Sequence, residues 1–311
     1  KNIQTAESVI VTESPAIFTG LVNGSKYTFS VSATNTLGTS NTAISNTVIP
    51  QAVWKSSIID KNADSKYLAS GVYAGKPVIA YSDSKNGDLK LATYSGSKWS
   101  TTTVDGNQLS IGRTNNNVSG YVSMCTSVVG KTNYLHLFYA DLVDKDLRYA
   151  VYNGKYWLYE VVDGDGGAIQ DYKEFPRVRG GSDVSVSNAC AVTNDGVQVF
   201  YRDESQGILL GAVKDKNEWR YEIVDGDKDT QERTTGDVGF HLKATTVGKK
   251  IHLIYDSVRG FDLDRNVTRG DIRYASRGSA LVEDWVYKTL DVPAEGVAVA
   301  GYDVGVFNSK R

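Results

Sequence analysis

Tyr139-Ala-Asp141, Asp146-Leu-Arg-Tyr-Ala150 and Trp157-Leu-Tyr-Glu-Val-Val-Asp163 decide the fold, because the same three phrases return in the same order along the chain. An earlier copy reads Tyr81-Ser-Asp83, Asp88-Leu-Lys-Leu-Ala92 and Trp99 to Asp105. A looser third reads Tyr201-Arg-Asp203, Gly207-Ile-Leu-Leu-Gly211 and Trp219 to Asp225. The fourth reads Tyr255-Asp256, Asp271-Ile-Arg-Tyr-Ala275 and Trp285 to Asp291, and Trp54 to Asp60 is one further copy of the last phrase. All five tryptophans fall in this frame. A repeat of this kind fixes the architecture first and warns that many conspicuous residues are present because the fold repeats.

Each unit reads as four short strands. Strand A is an apolar stretch such as Tyr121–Val129, and strand B follows a tight turn and is aromatic and β-branched, as in Tyr134–Tyr139 and Lys250–Tyr255. Strand C is Leu147–Tyr152, and strand D opens at the tryptophan. Four strands with tight turns need roughly 40–50 residues, the span of one β-propeller blade. The wider tryptophan intervals are therefore extra loop. Alternation and β-branched content fit strands, no stretch has a helical period, and the expected class is all-β.

Nineteen Tyr, 30 Gly, two Cys and one Met in 311 residues agree with an exported all-β protein. A net charge of −2 gives no bulk electrostatic case for nucleic acid or an anionic membrane. No run of 18 apolar residues exists to span a bilayer. Lys1 opens no signal peptide, so an export signal is expected to have been removed already.

The first 50 residues differ. Leu21-Val-Asn-Gly24 leads into Tyr27-Thr-Phe29-Ser-Val31-Ser-Ala33, a strict alternation that places the apolar set on one face. With Asn35-Thr-Leu-Gly38 and the closing Ser45–Pro50, this stretch resembles the end of a fibronectin type III domain. The resemblance implies a tyrosine corner at Tyr27 and covers residues 1–50 alone, about half a sandwich. Residues 51–311 form the second expected domain. Gly296–Phe307 resembles strand A of a fifth blade, so at least five blades are expected, the last incomplete at Arg311. A second chain completing both truncated domains is one expected partner, because open sheet edges are unstable alone.

Blades of the form Tyr-x-Asp, Leu-x-Tyr-Ala, Trp and Val-Asp resemble the repeat β-propellers of bacterial surface and secreted proteins. Such blades occur in sugar-binding propellers and in some glycoside hydrolases and polysaccharide lyases. Tyr94-Ser-Gly-Ser-Lys-Trp99 and Tyr152-Asn-Gly-Lys-Tyr-Trp157 lack the Asp of the sialidase box, so no sialidase arginine triad is carried over.

Repetition assigns the tryptophans to packing between blades, and Asp83, Asp141, Asp203 and Asp256 to capping of the turn after strand B. His136 and His252, at matching places, read as repeat structure, while His241 is the one histidine placed to act as a base. Cys125 and Cys190 lie in matching strands A, and the preferred reading is two small buried apolar residues rather than a disulfide. The D–A connections Gly106–Ser119, Gly164–Asp183, Gly226–Val238 and Val292–Glu295 vary most. The B–C loop Ser257–Gly270 opens on the same face, which is where long loops would carry binding. Asp163 and Asp165, Asp225, Asp227 and Asp229, and Asp262 and Asp264 recur there at spacing two, which suits calcium as a cofactor, although none forms an EF-hand. Arg113, Arg177, Arg179, Arg233, Arg259, Arg265 and Arg269, with Tyr172 and Phe175, suit acidic or neutral polysaccharide or a protein surface.

The sequence therefore predicts a secreted or cell-surface protein that recognises carbohydrate or a surface protein, without catalysis, through the D–A and B–C loop face. The rival is an extracellular hydrolase or lyase with its site at the channel mouth; a third reading is an assembly subunit of a surface complex or toxin.

Overall fold

A computed structural model describes residues 1–52, 56–164, 182–227, 233–235, 237–261, 267–278 and 285–291. The chain divides into two units, Lys1–Ile58 and Ile59–Arg311. Among the described residues every regular element is a strand.

In the first unit, β1 (Ser30–Val31) pairs with β4 (Ala43–Ile44), and β2 (Thr34–Asn35) with β3 (Gly38–Thr39). Tyr27 is buried, and its phenol oxygen accepts a hydrogen bond from the Val22 amide at 3.0 Å, a return bond of the tyrosine-corner kind. The expected apolar face is only partly covered, since Val31 stands exposed.

The second unit holds four antiparallel sheets, each a meander of four strands in chain order. The first contains β5 (Leu68–Tyr73), β6 (Lys76–Asp83), β7 (Asp88–Tyr94) and β8 (Trp99–Asp105). The second contains β9 (Val122–Val129), β10 (Thr132–Ala140), β11 (Leu147–Tyr152) and β12 (Trp157–Asp163). The third contains β13 (Val186–Thr193), β14 (Gly196–Asp203), β15 (Ile208–Asp215) and β16 (Glu218–Asp225). The fourth contains β17 (Asp237–Val247), β18 (Lys250–Phe261), β19 (Val267–Gly278) and β20 (Val286–Asp291). Two-residue turns join the first two strands of every sheet, and Ala74 and Gly75 adopt the positive φ of 48° and 76° that a tight hairpin demands. The first strands β5, β9, β13 and β17 neighbour one another in turn. Three apolar clusters each span one junction. Val78 and Leu89 pack with Leu135 and Leu137, Phe138 and Tyr149 with Tyr201 and Trp219, and Phe200 and Leu209 with Leu253 and Tyr255. Face-to-face packing of successive meanders around adjacent first strands is the arrangement of propeller blades.

The recurring Val-Asp has a physical cause. In all four sheets the pairing of the last two strands slips at one place: Leu147 faces Asp163 while Arg148 faces Val161, so Val162 is an extra, bulged residue. Val104 and Val224 are skipped in the same way, as is Leu290. A bulge leaves a backbone group without its ladder partner. The next sheet supplies one: Tyr159 donates to the Val104 carbonyl at 2.9 Å, Tyr221 to Val162 at 2.5 Å and Tyr287 to Val224 at 2.5 Å. The bulge also presents the following aspartate to the next sheet's strand B. Tyr139, Tyr201 and Tyr255 donate to Asp105, Asp163 and Asp225 at 2.6, 2.6 and 2.7 Å, and Tyr81 donates to Asp60 at 2.8 Å. The chain then turns through glycine. Gly106 has φ 103°, and a Cβ there would meet the Gly87 carbonyl oxygen at 2.7 Å.

Three sequence expectations change. First, strand pairing sets Leu210 opposite Tyr201, the place held by Lys90, Arg148 and Arg273, so the third copy is Ile208-Leu-Leu-Gly-Ala212 and begins one residue later than the letters suggest. Second, most of the expected loop Ser257–Gly270 is a hairpin extension, with Val258 facing Gly270 and Phe261 facing Val267. Third, Cys125 and Cys190 form a disulfide between β9 and β13, their Cα atoms 6.0 Å apart. Packing of neighbouring first strands brings them together, a relation that spacing in the chain does not encode. The suggested fifth-blade strand Gly296–Phe307 lies outside the described residues.

Candidate functional site: an open slot between the second and third sheets

On the expected loop face, the described candidate side chains are engaged in the framework. Asp225 is fully buried; its Oδ1 accepts the Gly226 and Thr234 amides, both at 2.9 Å, and its Oδ2 accepts Tyr255 and, at 3.1 Å, Arg273 Nε. Asp105 repeats this pattern with Gly106, Thr114 and Tyr139, and has Arg148 Nε 3.4 Å away. Asp163, equally buried, accepts the Gly164 amide at 2.7 Å besides the Tyr201 phenol. Burial and the facing carboxylate push the Tyr139 and Tyr255 phenols far up, so they stay protonated and donate to it. Arg113 donates to Asn107 at 2.6 Å and lies 5.8 Å over the Tyr159 ring. Arg233, at the matching place, pairs with Asp227 and lies 6.0 Å over Tyr287. Among the described residues no three acidic, imidazole or thiol groups converge as a metal set. Asp165, Tyr172, Phe175, Arg177, Arg179, Asp229, Asp262, Asp264 and Arg265 lie outside the described residues, as do the side chains of Arg259 and Arg269.

The turn aspartates behave as the repeat implies. Asp141 accepts the Val143 and Asp144 amides at 3.1 and 3.2 Å, and Asp203 the Gln206 amide at 3.1 Å. Asp256 instead faces His241, its Oδ2 2.8 Å from Nδ1, and His241 itself has a left-handed φ of 49°.

The open concavity lies at the opposite end, where the A–B and C–D turns emerge. A cleft of about 980 Å³ runs between the second and third sheets and reaches β17 and the first turn of the fourth. Its walls include the Cys125–Cys190 disulfide, Tyr134, His136, Tyr149 and Glu160, with Asn194, Lys214, Lys216, Asn217 and Lys249 towards the turns. The next junction explains why this slot is open. Between the third and fourth sheets the guanidinium of Arg277, wholly buried, donates to Glu222 at 2.6 Å and Gln198 at 2.8 Å, and Trp285 Nε1 donates to Glu222 at 3.0 Å. Burial raises the Glu222 carboxyl although Arg277 opposes the shift. Strand register sets Lys214, opposite Trp219, in the place of Arg277, His136 in the place of Gln198, and Glu160 in the place of Glu222. Lys214 and Trp219 do bind Glu160, but a compact ammonium cannot bridge as the planar fork does, and Glu160 stays over a third exposed.

His136 sits in the cleft wall with both ring nitrogens engaged, Nε2 2.8 Å from Ser127 Oγ and Nδ1 2.7 Å from the Tyr149 oxygen. Burial lowers its pKa to about 4, so the ring is neutral near pH 7. The rings of Tyr134, His136 and Tyr149 are nearly parallel, with successive centroids 6.2 and 6.0 Å apart. The sequence marked His136 and His252 as repeat structure, and His252 does contact Tyr274 at 2.6 Å as His136 contacts Tyr149. It had no signal for the slot.

No protein-family model and no curated protein matches the chain. Among solved structures, a fungal lectin of six-bladed β-propeller fold from Aleuria aurantia is similar over 85% of this chain and 74% of its own, at 14% identity and TM-score 0.47. A fucose-specific lectin structure from the same organism is similar over 70% of this chain, at 12% identity and TM-score 0.42, and this chain spans 57% of that one. The catalytic domain of a GH62 α-L-arabinofuranosidase from Coprinopsis cinerea is similar over 78% and 74%, at 12% identity and TM-score 0.45. With these TM-scores below 0.5, the architecture rests on the pairing and packing described above. Among the described residues no helix is long and apolar enough to cross a membrane.

Proposed function

We propose that this chain is a carbohydrate-recognition protein, secreted or held at a cell surface, that takes an acidic glycan in the slot between its second and third sheets. The observation that carries this reading is the slot itself, left open where the neighbouring junction is plugged by Arg277 and Glu222. Its volume is in the range of ligand sites. Tyr134 offers a ring edge to a sugar, Asn194 and Asn217 offer amides, and Lys214, Lys216 and Lys249 outnumber the single Glu160. That balance favours a carboxylate-bearing sugar over a cationic ligand. The disulfide supports an oxidising compartment. Recognition by the opposite loop face remains a second route, carried by segments outside the described residues, and calcium would act there through Asp165, Asp229, Asp262 and Asp264.

The test is a glycan array on the intact chain at low and raised salt, with calcium and again with a chelator. Retention of intact uronate-bearing glycans is expected, weakening at high salt. Lys216→Ala with Lys249→Ala is expected to lower affinity about ten-fold, a loss of about 1.4 kcal/mol. Retention unchanged by those substitutions would move the site elsewhere, and loss on chelation would point to the loop face.

A further inference from the structure

We infer that Ser127 is a nucleophile in this slot and that His136 is its general base, acting on a carboxylic ester. The inference needs the slot to be open, not to hold a sugar, so it goes beyond the recognition reading and can fail separately from it.

Three observations support it. Ser127 Oγ and His136 Nε2 are 2.8 Å apart in the cleft wall, within reach for proton transfer. Tyr149 holds the other ring nitrogen at 2.7 Å, so the base is oriented by a third group. In the tautomer protonated at Nδ1, that N–H donates to the Tyr149 oxygen and Nε2 accepts the Ser127 hydroxyl proton. Burial keeps the imidazole neutral at pH 7 and pushes the Tyr149 phenol up, so both groups hold the required protonation state.

The repeat separates framework from addition. In the third sheet the matching diagonal is Gln198 Nε2 donating to Thr193 Oγ1 at 3.1 Å, so a hydroxyl beside this position belongs to the blade. In the fourth sheet His252 and Tyr274 recur, but strand register places Val247 where Ser127 stands. Among the described residues of the four sheets, hydroxyl, imidazole and phenol come together only in the second, which is also where the slot opens.

The step balances without an external oxidant or reductant. The Oγ–H proton passes to Nε2 as Oγ bonds the ester carbonyl carbon. The carbon–oxygen bond to the alcohol then breaks, and the departing oxygen takes the proton from the imidazolium. Water, deprotonated by the same nitrogen, attacks the acyl carbon and restores the serine hydroxyl. Tyr149 stays a neutral phenol and cannot offset the imidazolium charge.

The test uses a fluorophosphonate probe on the intact chain, with the labelled residue found by peptide mass spectrometry, alongside hydrolysis of p-nitrophenyl acetate. Label on Ser127 is expected, absent in Ser127→Ala. His136→Gln recreates the third sheet's Gln–hydroxyl contact and so is expected to fold, while labelling falls about 100-fold or more. Tyr149→Phe keeps the ring and serves as a second variant, with a smaller loss and an altered pH–rate profile. Thr102→Ala, on β8 of the first sheet and outside the slot, should label as the parent does. No label at Ser127, or equal labelling in His136→Gln, overturns the inference. Glycan retention with no label would leave recognition standing and remove the nucleophile.

Discussion

Replacing Asp225 by alanine separates a structural carboxylate from a calcium ligand. In the structure this one buried side chain accepts the Gly226 and Thr234 amides, the Tyr255 phenol and Arg273 Nε, and the Arg273 side chain is itself only 2% exposed. Breaking a buried pair by removing one partner costs about 3–5 kcal/mol, because the remaining charge loses its compensation. Buried donors left unpaired add about 1–3 kcal/mol each, although relaxation and entering water recover part of that. A loss of at least about 3 kcal/mol is therefore expected, a large fraction of the roughly 5–15 kcal/mol that holds a typical protein folded. Asp225→Asn keeps the acceptor for the two amides and loses the charge facing Arg273, so it should fall between the parent and alanine. The assay is urea unfolding of all three proteins, each in calcium and in chelator. The structural role requires the same loss in both solutions. A loss of under about 1 kcal/mol, below the cost of even one unpaired buried donor, would refute the reasoning. A loss confined to calcium-containing buffer would show that Asp225 holds the cation.

Two further outcomes follow from the slot and its wall. The folded-state pKa of His136 is lowered to about 4, so the unfolded chain takes up a proton first as pH falls. Stability should then drop by about 1.4 kcal/mol per pH unit between about 6.5 and about 4, and His136→Gln should flatten that slope in unfolding measured across this window. Reducing the Cys125–Cys190 bond, or replacing both residues by alanine, frees a cross-link over 65 residues of chain and should cost about 4 kcal/mol. A melting temperature unchanged by reductant, with the bond confirmed lost, would count against it.

Much of the framework was legible because it repeats. The Tyr of strand B and the terminal Asp recur since the same phenol–carboxylate bond ties Tyr81, Tyr139, Tyr201 and Tyr255 to Asp60, Asp105, Asp163 and Asp225, so a residue seen four times is more economically a tie than a site. What the sequence could not show was register. The third copy looks merely loose when aligned by letters, whereas pairing places Leu210 where other sheets have Lys or Arg. The valine before Asp163 reads as one more apolar residue, and only the slip between Leu147 and Arg148 reveals it as a bulge whose carbonyl the next sheet must satisfy. The long B–C loop was inferred from length, and length does not distinguish a loop from two strands that run on past the sheet. Arg113 and Arg233 each contact a residue of their own D–A connection and lie over the tyrosine of the next sheet's strand D, contacts that the sequence alone does not show.

The same repetition that hides function in the sequence exposes it in the structure, through departures at equivalent positions. The residue opposite the tryptophan of strand D runs Tyr94, Tyr152, Lys214 and, by the offset from Arg273, Arg277. Its partner on the preceding strand D runs Thr102, Glu160 and Glu222. Tyr152 stacks on Trp157 and Tyr94 packs tilted against Trp99, at 5.0 and 5.3 Å between centroids, and neither needs a counter-ion. Arg277 and Glu222 close their junction with buried hydrogen bonds. Lys214 and Glu160 inherit the charges of that closed junction without the guanidinium that fills it, and Tyr149 stands where the third sheet keeps Gly211 to make room for Glu222. The Lys214–Glu160 pair is only part-buried, with Glu160 37% exposed, so it escapes most of the desolvation cost that favours an apolar replacement. That this slot keeps its acid, its lysines and an imidazole–phenol pair is the physical reason to assign it a ligand.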